Sequence, residues 1–214
     1  MNVLRKLMTL VGVGSMIFFL TACAGLNLQE DNRNDYFQNV YTFPVHDEQG
    51  NEVSPSIMVN NATAELLTGI GGSVMAVRGS DLPEGHAVTA WWVIFNRPEM
   101  CSDGVCGEDD VLPMPGNEAA GVSVLFADGQ VINNEGNGFF WDALGRADTM
   151  EAVFGPGLTN PLTAEIHYVL RTHGPVQENI KEEQLTTLMG GCAAEAPHAP
   201  CKDLQYAVFK QAAR

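Results

Sequence analysis

The alternation of apolar and polar positions predicts a series of short strands, and one of them is apolar on both faces. Residues Ala87–Phe95 read AVTAWWVIF, and turn-forming residues bound them, Pro83 and Gly85 before and Pro98 after. From Ala90 onward both alternating sets are apolar, whereas a strand with one solvent-facing side has one polar set. We therefore expect a central strand that is covered on both sides and is too short to cross a membrane as a helix.

Other segments with the two-residue period of a strand lie on either side of it. Ser73–Arg78 precedes the central strand, and Ala164–Arg171 alternates an apolar set with a more polar one. The remaining predicted strands are Val40–Val45, Ser56–Asn60, Val122–Ala127, Gln130–Ile132 and Leu204–Phe209. Many short strands without alternating helices indicate a mainly β fold, which we predict to be an antiparallel Ig-like β-sandwich.

Local signals predict a hairpin, a helix and two long loops. Asp128-Gly129 between apolar runs is typical of a type I′ hairpin turn. Apolar residues at helical spacing predict one peripheral helix over Gln177–Met189, with Gly190 as its C-terminal cap. The segments Arg97–Ala120 and Asn133–Pro161 are rich in glycine and proline, so we expect loops that form one rim of the domain.

The N-terminus has the pattern of an export signal. Met1–Lys6 is basic and Leu7–Leu20 is mostly apolar, as in a signal peptide. The tetrapeptide Leu20-Thr21-Ala22-Cys23 resembles the lipobox of bacterial lipoproteins. That resemblance implies cleavage before Cys23 and acylation of this residue, which would anchor the chain in a membrane. In the same family Ala24, in place of Asp, points to the outer membrane. A chance cysteine after an ordinary signal peptide is the alternative.

These features predict a signal peptide over residues 1–22, a lipidated Cys23 with a polar tether over 23–38, and one β-sandwich domain over 39–214. The chain has 11 basic and 26 acidic residues and a net charge of −15. Such an acidic surface repels the phosphates of nucleic acids. The expected partners are the membrane, through the lipid anchor, and an envelope protein or small ligand, with no nucleic acid. The expected location is the bacterial cell envelope, facing the periplasm or the cell surface.

The other four cysteines predict two disulfides. An even number of cysteines in an exported chain is typical of disulfide pairing, and three pairings are possible. We favour Cys101–Cys106 and Cys192–Cys201, because each of these pairs brackets a turn-rich loop. A zinc site built from all four cysteines is the alternative, although the second interval is longer than zinc sites usually have.

Three histidines are candidate metal ligands, namely His86, His167 and His173. His167 and His173 would lie about 20 Å apart on one straight strand, too far for one ion to bind both. His86 opens the central strand and His173 follows another, so these two are candidates to share one rim and bind copper or zinc. The alternative is that these histidines make ordinary hydrogen bonds and bind no metal, and in that case no cofactor is expected.

Known catalytic motifs are absent from the sequence. It contains no Gly-x-Ser-x-Gly elbow, zincin helix, phosphate-binding loop or dinucleotide fingerprint, so enzymatic activity is not expected. The aromatic run Phe139, Phe140 and Trp141 lies between glycines and is a candidate contact for a ligand or partner. Packing of these rings into the domain itself is the alternative.

Three further stretches resemble known proteins. Residues 85–96, GHAVTAWWVIFN, together with AEIH at 164–167 and THGP at 172–175, are similar to secreted bacterial β proteins. They are also loosely similar to the CHRD domain, an Ig-like sandwich with a histidine-bearing strand. The resemblance implies a fold and no activity.

The resulting hypothesis is a non-enzymatic binding or structural module on a lipid anchor. The alternative is a copper- or zinc-binding protein, or a metal-dependent enzyme, that uses the three histidines.

Overall fold

The computed structural model describes residues 34–46, 49, 51–192 and 201–211. The strands are β1 (Asn34–Thr42), β2 (Val45–His46), β3 (Glu52–Ser54), β4 (Met58–Gly69), β5 (Gly72–Gly79), β6 (His86–Phe95), β7 (Val122–Val131), β8 (Gly138–Gly145), β9 (Ala152–Phe154), β10 (Glu165–Pro175) and β11 (Lys202–Phe209). The helices in these ranges are α1 (Glu108–Val111) and α2 (Lys181–Thr186). The predicted mainly β class is confirmed.

Nine of the strands form one antiparallel sheet in the order β8-β5-β4-β1-β11-β10-β6-β7-β9, and β2 pairs with β3 alone. The sheet curls into a half-barrel until β7 approaches β8. There the side-chain amide of Gln130 donates to the carbonyl of Phe139 at 2.7 Å, and the backbone N–H of Trp141 donates to Asp128 Oδ2 at 3.2 Å. The single curled sheet encloses its own core. The face-to-face pair of sheets predicted for an Ig-like sandwich is not confirmed.

The core lies on the concave side of this sheet. Its largest fully buried side chains come from strands across the whole sheet: Leu66, Met75, Trp92, Ile94, Leu125, Phe140, Ile166, Tyr168 and Leu170. Burying each of these against the others contributes about 1.5–3 kcal/mol. The curl is therefore stabilised by one continuous hydrophobic cluster.

β6 is covered on both sides, as the sequence predicted. Trp92 and Ile94 face the concave core. On the convex side the ring of Trp91 meets Phe126 edge-on at 5.5 Å, and α2 packs over β6 and β7. Phe95 lies in a second cluster with residues of the segment that follows it. The two apolar sets of this strand therefore have two different covers.

The predicted hairpin at Asp128-Gly129 is wrong. β7 runs through both residues without turning, and they pair with Ala90 and Thr89 of β6 beside a β-bulge. A Cβ on Gly129 would lie 2.0 Å from the carbonyl oxygen of Leu185. Glycine is therefore explained here by the close approach of the α2 segment, and not by a turn.

α2 spans six residues, fewer than the predicted Gln177–Met189. The buried side chain of Gln184 accepts from the backbone N–H of Gln177 at 2.8 Å and donates to the carbonyl of His173 at 3.1 Å. These bonds hold the segment before α2 as a turn against β10. At the other end the hydroxyl of Thr186 donates to a backbone carbonyl one turn earlier, which competes with helix continuation.

β1 begins at Asn34, inside the range predicted as a tether, because Tyr36 pairs with Leu66 of β4. The predicted signal peptide and Cys23 lie outside the described residues. Within the described ranges no helix is long and apolar enough to cross a bilayer.

β1 also borders β11, and this junction has two registered pairs, Tyr41 with Tyr206 and Thr42 with Gln205. Aromatic contacts reinforce it, since the ring of Tyr206 lies 6.0 Å from that of Tyr41 and 4.8 Å from that of Phe43. The two parts of the sheet on either side of this junction are each held by much longer ladders.

Candidate functional site

The predicted aromatic run lies on a strand and not on a loop. It forms the start of β8, whose side chains alternate between the two sides of the sheet. Phe140 is fully buried in the core, whereas Phe139 and Trp141 point outward and are 46% and 55% exposed. The structure therefore divides the three rings, and their role in binding stays a prediction.

A third exposed ring lies on the same convex side. Phe37 of β1 is 72% exposed, and the register aligns it with Glu65, Ala76 and Trp141 across four adjacent strands. Three strand spacings separate Phe37 from Trp141, or about 14 Å. We use the name outer aromatic face for the apolar side chains on this part of the convex side, which are Phe37, Leu67, Val74, Ala76, Phe139, Trp141 and Ala143.

One cation lies within this face. The guanidinium of Arg78 lies 4.9 Å from the ring centroid of Phe139, within the range of a cation–π contact. The neighbouring apolar members of the face are half-buried, and the exposed side chain of Glu65 lies between Phe37 and Ala76 in the register. The rings therefore extend from an apolar surface that one acidic side chain interrupts. Grouped exposed apolar side chains of this kind are typical of interaction surfaces, whereas single ones are common everywhere.

His173 lies on the convex side as well, but it is buried under the α2 segment and only 1% exposed. Its Nε2 is 2.7 Å from the hydroxyl of Thr89, and its Nδ1 is 2.8 Å from the carbonyl of Gly190. A carbonyl only accepts, so the proton lies on Nδ1, and Nε2 accepts from Thr89. Thr89 accepts in turn from the indole N–H of Trp91 at 2.7 Å. Burial lowers the pKa of His173, which favours the neutral imidazole.

Both predicted disulfides are confirmed, and one of them touches this histidine. The bonds are Cys101–Cys106 and Cys192–Cys201. His173 Nδ1 lies 3.4 Å from Cys201 Sγ and 3.7 Å from Cys192 Sγ. Within the described part of the chain, these three residues are the group of possible metal ligands whose atoms converge within 4.8 Å.

The three predicted histidines do not come together. His167 and His173 lie on one uninterrupted strand, β10, and His167 instead bonds Glu165 at 2.7 Å. His86 bonds the hydroxyl of Thr172 at 2.9 Å. Strand alternation places His86 on the concave side of β6, opposite to the side that holds His173. The structure therefore gives each histidine a separate partner.

A polar cluster inside the curled sheet was missed by the sequence reasoning. Asp142 accepts from the indole N–H of Trp92 at 2.7 Å, and the ring of Tyr168 meets Trp92 edge-on at 6.4 Å. Burial is the main cause that raises the pKa of both Asp142 and Tyr168. The hydroxyl of Tyr168 is buried without a hydrogen-bond partner among the described residues. The available signal was Asp142 itself, a carboxylate in the inward-facing set of β8.

Asn96 organises the loops at the other end of β6. Its Oδ1 accepts from the backbone N–H groups of Thr159 and Asn160, and its Nδ2 donates to the carbonyls of Gly121 and Gly157. A groove of about 430 Å³ lies beside it. Because the amide is fully engaged with the backbone, its evident role is to join loops.

A second buried polar side chain fixes the disulfide loop. Asp110 belongs to the acidic run of α1, yet it is buried, and its Oδ1 accepts from the backbone N–H of Ser102 and from Asn117 Nδ2. These hydrogen bonds hold the pKa of Asp110 below its ordinary value against the opposing effect of burial. The carboxylate therefore shapes the loop around Cys101–Cys106.

Comparison with protein-family models, with curated proteins and with solved structures found no match for this chain. The function of this chain is therefore inferred from the chemistry and geometry of its own residues.

Proposed function

We propose that this chain is a lipoprotein anchored in the outer membrane of the bacterial envelope, and that its β domain is a non-enzymatic binding or structural module. The observation that carries the binding role is the outer aromatic face, where Phe37, Phe139 and Trp141 are exposed together on one side of a rigid sheet. Aromatic side chains supply much of the energy of protein interfaces, and a rigid scaffold limits the entropy lost on binding.

The shape of this face favours a protein partner. Small-molecule sites are usually concave and enclose most of the ligand surface. The outer aromatic face lies on the convex side of a curled sheet and spans about 14 Å from Phe37 to Trp141. The partner that fits such a surface best is another protein of the envelope, and a small ligand is the outcome that would revise this choice.

A matched set of variants tests the face. In purified protein that carries Cys23→Ser and therefore has no lipid anchor, we expect the double substitution Phe139→Ala/Trp141→Ala to abolish association with an envelope fraction from cells that lack the native protein. Met150→Ala is the control, because Met150 is 87% exposed and lies outside the face. Wild-type association by the double variant would contradict the proposal, as would an equal loss in the control.

The anchor is proposed from the resemblance of Leu20-Thr21-Ala22-Cys23 to the lipobox. Several acyl chains bind a bilayer far more firmly than one, so Cys23 would hold the domain permanently at the membrane. Cys23→Ser should leave an unprocessed precursor, or a protein that no longer fractionates with membranes. Normal processing together with membrane retention of this variant would refute the anchor.

The alternative function, a copper- or zinc-binding protein or metal-dependent enzyme that uses His86, His167 or His173, has a direct test. Elemental analysis of the purified protein would show near-stoichiometric metal that is lost in His86→Ala or His173→Ala. We propose no activity from the resemblance to CHRD domains, and an Ig-like relationship of the sheet stays a prediction that this resemblance supports.

A further inference from the structure

We infer that His173, Cys192 and Cys201 form a redox-gated Zn²⁺ site, which is closed while the two cysteines are joined and opens when a dithiol reduces them. This site goes beyond the proposed binding function and does not depend on it. It also differs from the predicted rim site, because its other ligands are sulfur atoms and it uses neither His86 nor His167.

The distances match those of a tetrahedral zinc site. Zn–S bonds of about 2.3 Å and Zn–N bonds of about 2.0–2.1 Å place neighbouring S and N ligands about 3.6 Å apart. The observed separations from His173 Nδ1 are 3.4 Å to Cys201 Sγ and 3.7 Å to Cys192 Sγ. The imidazole therefore already lies close to both sulfur atoms. For Zn²⁺ to bind, the sulfur atoms must separate to about 3.8 Å, and the carbonyl of Gly190, which accepts from Nδ1 at 2.8 Å, must move aside.

The surroundings of His173 also fit a metal ligand. A histidine that binds zinc almost always gives its other ring nitrogen to a hydrogen-bonding partner, which fixes the orientation of the ring. That partner is Thr89, whose buried hydroxyl lies 2.7 Å from Nε2 and is itself held by Trp91. On metal binding the imidazole changes tautomer: Nδ1 gives up its hydrogen to become the ligand atom, and Nε2–H donates to Thr89.

The reaction balances with a dithiol as the reductant. The dithiol transfers two electrons and two protons to the bond between Cys192 and Cys201, which leaves two thiols and the disulfide of the reductant. Zn²⁺ then displaces the two thiol protons and binds two thiolates and the neutral imidazole of His173, with a water in the fourth position. The charge of the ion is thereby cancelled by its two thiolates.

The second disulfide provides an internal control. Cys101 and Cys106 pack with Phe95, Ala120 and Val122 in an apolar cluster, and Cys106 Sγ contacts the carbonyl of Pro98 at 3.5 Å. In the described ranges no convergent group of metal ligands includes either of them. Reducing this bond therefore exposes two thiols without a waiting imidazole.

The experiment measures Zn²⁺ binding to the purified chain by calorimetry before and after reduction with a dithiol. Co²⁺ serves as a spectroscopic probe, since thiolate ligation gives charge-transfer absorption in the near ultraviolet. We expect one equivalent of Zn²⁺ in the reduced chain and none in the oxidised chain. Cys101→Ser/Cys106→Ser should keep this binding, and Cys192→Ser/Cys201→Ser should lose it.

Three more variants separate a folded site from thiols of an unfolded chain. His173→Gln and Thr89→Val should each weaken Zn²⁺ binding about tenfold or more, while Thr89→Ser keeps the hydroxyl and should retain affinity. Circular dichroism checks that each protein is folded. Equal affinity in His173→Gln would overturn the inference. So would Zn²⁺ binding by the oxidised chain, a disulfide that resists the dithiol in the folded protein, or unfolding on reduction that Zn²⁺ does not reverse.

Discussion

The indole N–H of Trp92 donates to Oδ2 of Asp142 at 2.7 Å, and this bond joins β6 to β8 across the interior of the curled sheet. The two strands are not neighbours in the sheet order. A hydrogen bond in apolar surroundings is costly to leave unmade, because the freed donor has no water to replace its partner. The pair therefore favours one degree of curl over more open arrangements of the same sheet.

A first prediction concerns the acceptor. Asp142→Ala should lower the free energy of unfolding by about 1–3 kcal/mol, because it leaves the buried indole N–H of Trp92 unpaired. Asp142→Asn keeps an acceptor oxygen at the same place and should avoid this loss. Urea unfolding of the two variants measures the difference, and equal stability of both would argue against a structural role for the bond.

The same residue predicts a pH dependence. Burial raises the pKa of Asp142 above its ordinary value of 3.8. A carboxyl group with a higher pKa in the folded state contributes stability that is fully present below pH 3.8 and is lost as the pH rises through the folded value. The stability of the wild type relative to Asp142→Asn should therefore fall as the pH rises from 3.8, and then level off. Unfolding curves over a pH series test this, and a constant difference would contradict it.

A second site of predicted sensitivity is Gly129. An added Cβ would lie 2.0 Å from the carbonyl oxygen of Leu185, so Gly129→Ala must push the α2 segment away from β7. Overpacking of this kind costs about 1–3 kcal/mol. Gly107→Ala is the control, since a Cβ there meets nothing within 4 Å. Thermal unfolding should show a lower midpoint for the first variant and almost no change for the second.

Asn96 should be among the most sensitive polar residues. Asn96 is buried, and Asn96→Ala removes its hydrogen bonds to the backbone of four loop residues, so we expect a loss of about 3 kcal/mol in the free energy of unfolding. Asn137→Ala is the comparison, because the Asn137 side chain is exposed and makes a single contact of 3.5 Å. Chemical denaturation of the two variants should give clearly different midpoints. Similar midpoints would show that the loops do not depend on Asn96.

Tryptophan fluorescence offers a check on exposure. The chain has three tryptophans, of which Trp91 and Trp92 are buried and Trp141 is exposed. Acrylamide should therefore quench one class of emission strongly and leave the rest protected, and Trp141→Phe should remove the accessible class. Strong quenching that persists in Trp141→Phe would show that β6 is less covered than the structure indicates.

The hydrophobic periodicity predicted which strand faces are buried better than it predicted which elements pack against them. The two apolar sets of Ala87–Phe95 correctly predicted a strand with two covered faces. An alternating pattern predicts which side of a strand is buried. It does not predict whether a second sheet or the same curled sheet covers that side. The sandwich is predicted from many short strands without alternating helices, whereas the curl depends on long-range contacts such as that between Trp92 and Asp142.

Other features were hidden because one residue type serves several purposes. Asp128-Gly129 has the composition of a turn, yet Asp128 binds the edge of β8 and Gly129 makes room for the α2 segment. The local disulfides could be predicted because each cysteine pair brackets a turn-rich loop. His173 lies 19 and 28 residues from the two sulfurs that it touches, so only the folded chain could show that contact.

The short junction between β1 and β11 divides the sheet into two parts, β8-β5-β4-β1 and β11-β10-β6-β7-β9. In the described residues, two registered pairs and the hydrogen bond from the Phe43 N–H to the Leu204 carbonyl cross it. Separating the two parts there breaks fewer backbone hydrogen bonds than opening the sheet between β10 and β6, which share nine registered pairs. Local opening follows the route that breaks the least structure, and amide hydrogen exchange reports it residue by residue. The amides of Tyr41 and Tyr206 should therefore exchange well before those in the middle of β6. We therefore expect the sheet to open locally at the junction of β1 and β11 while the strand pairing within each part stays intact.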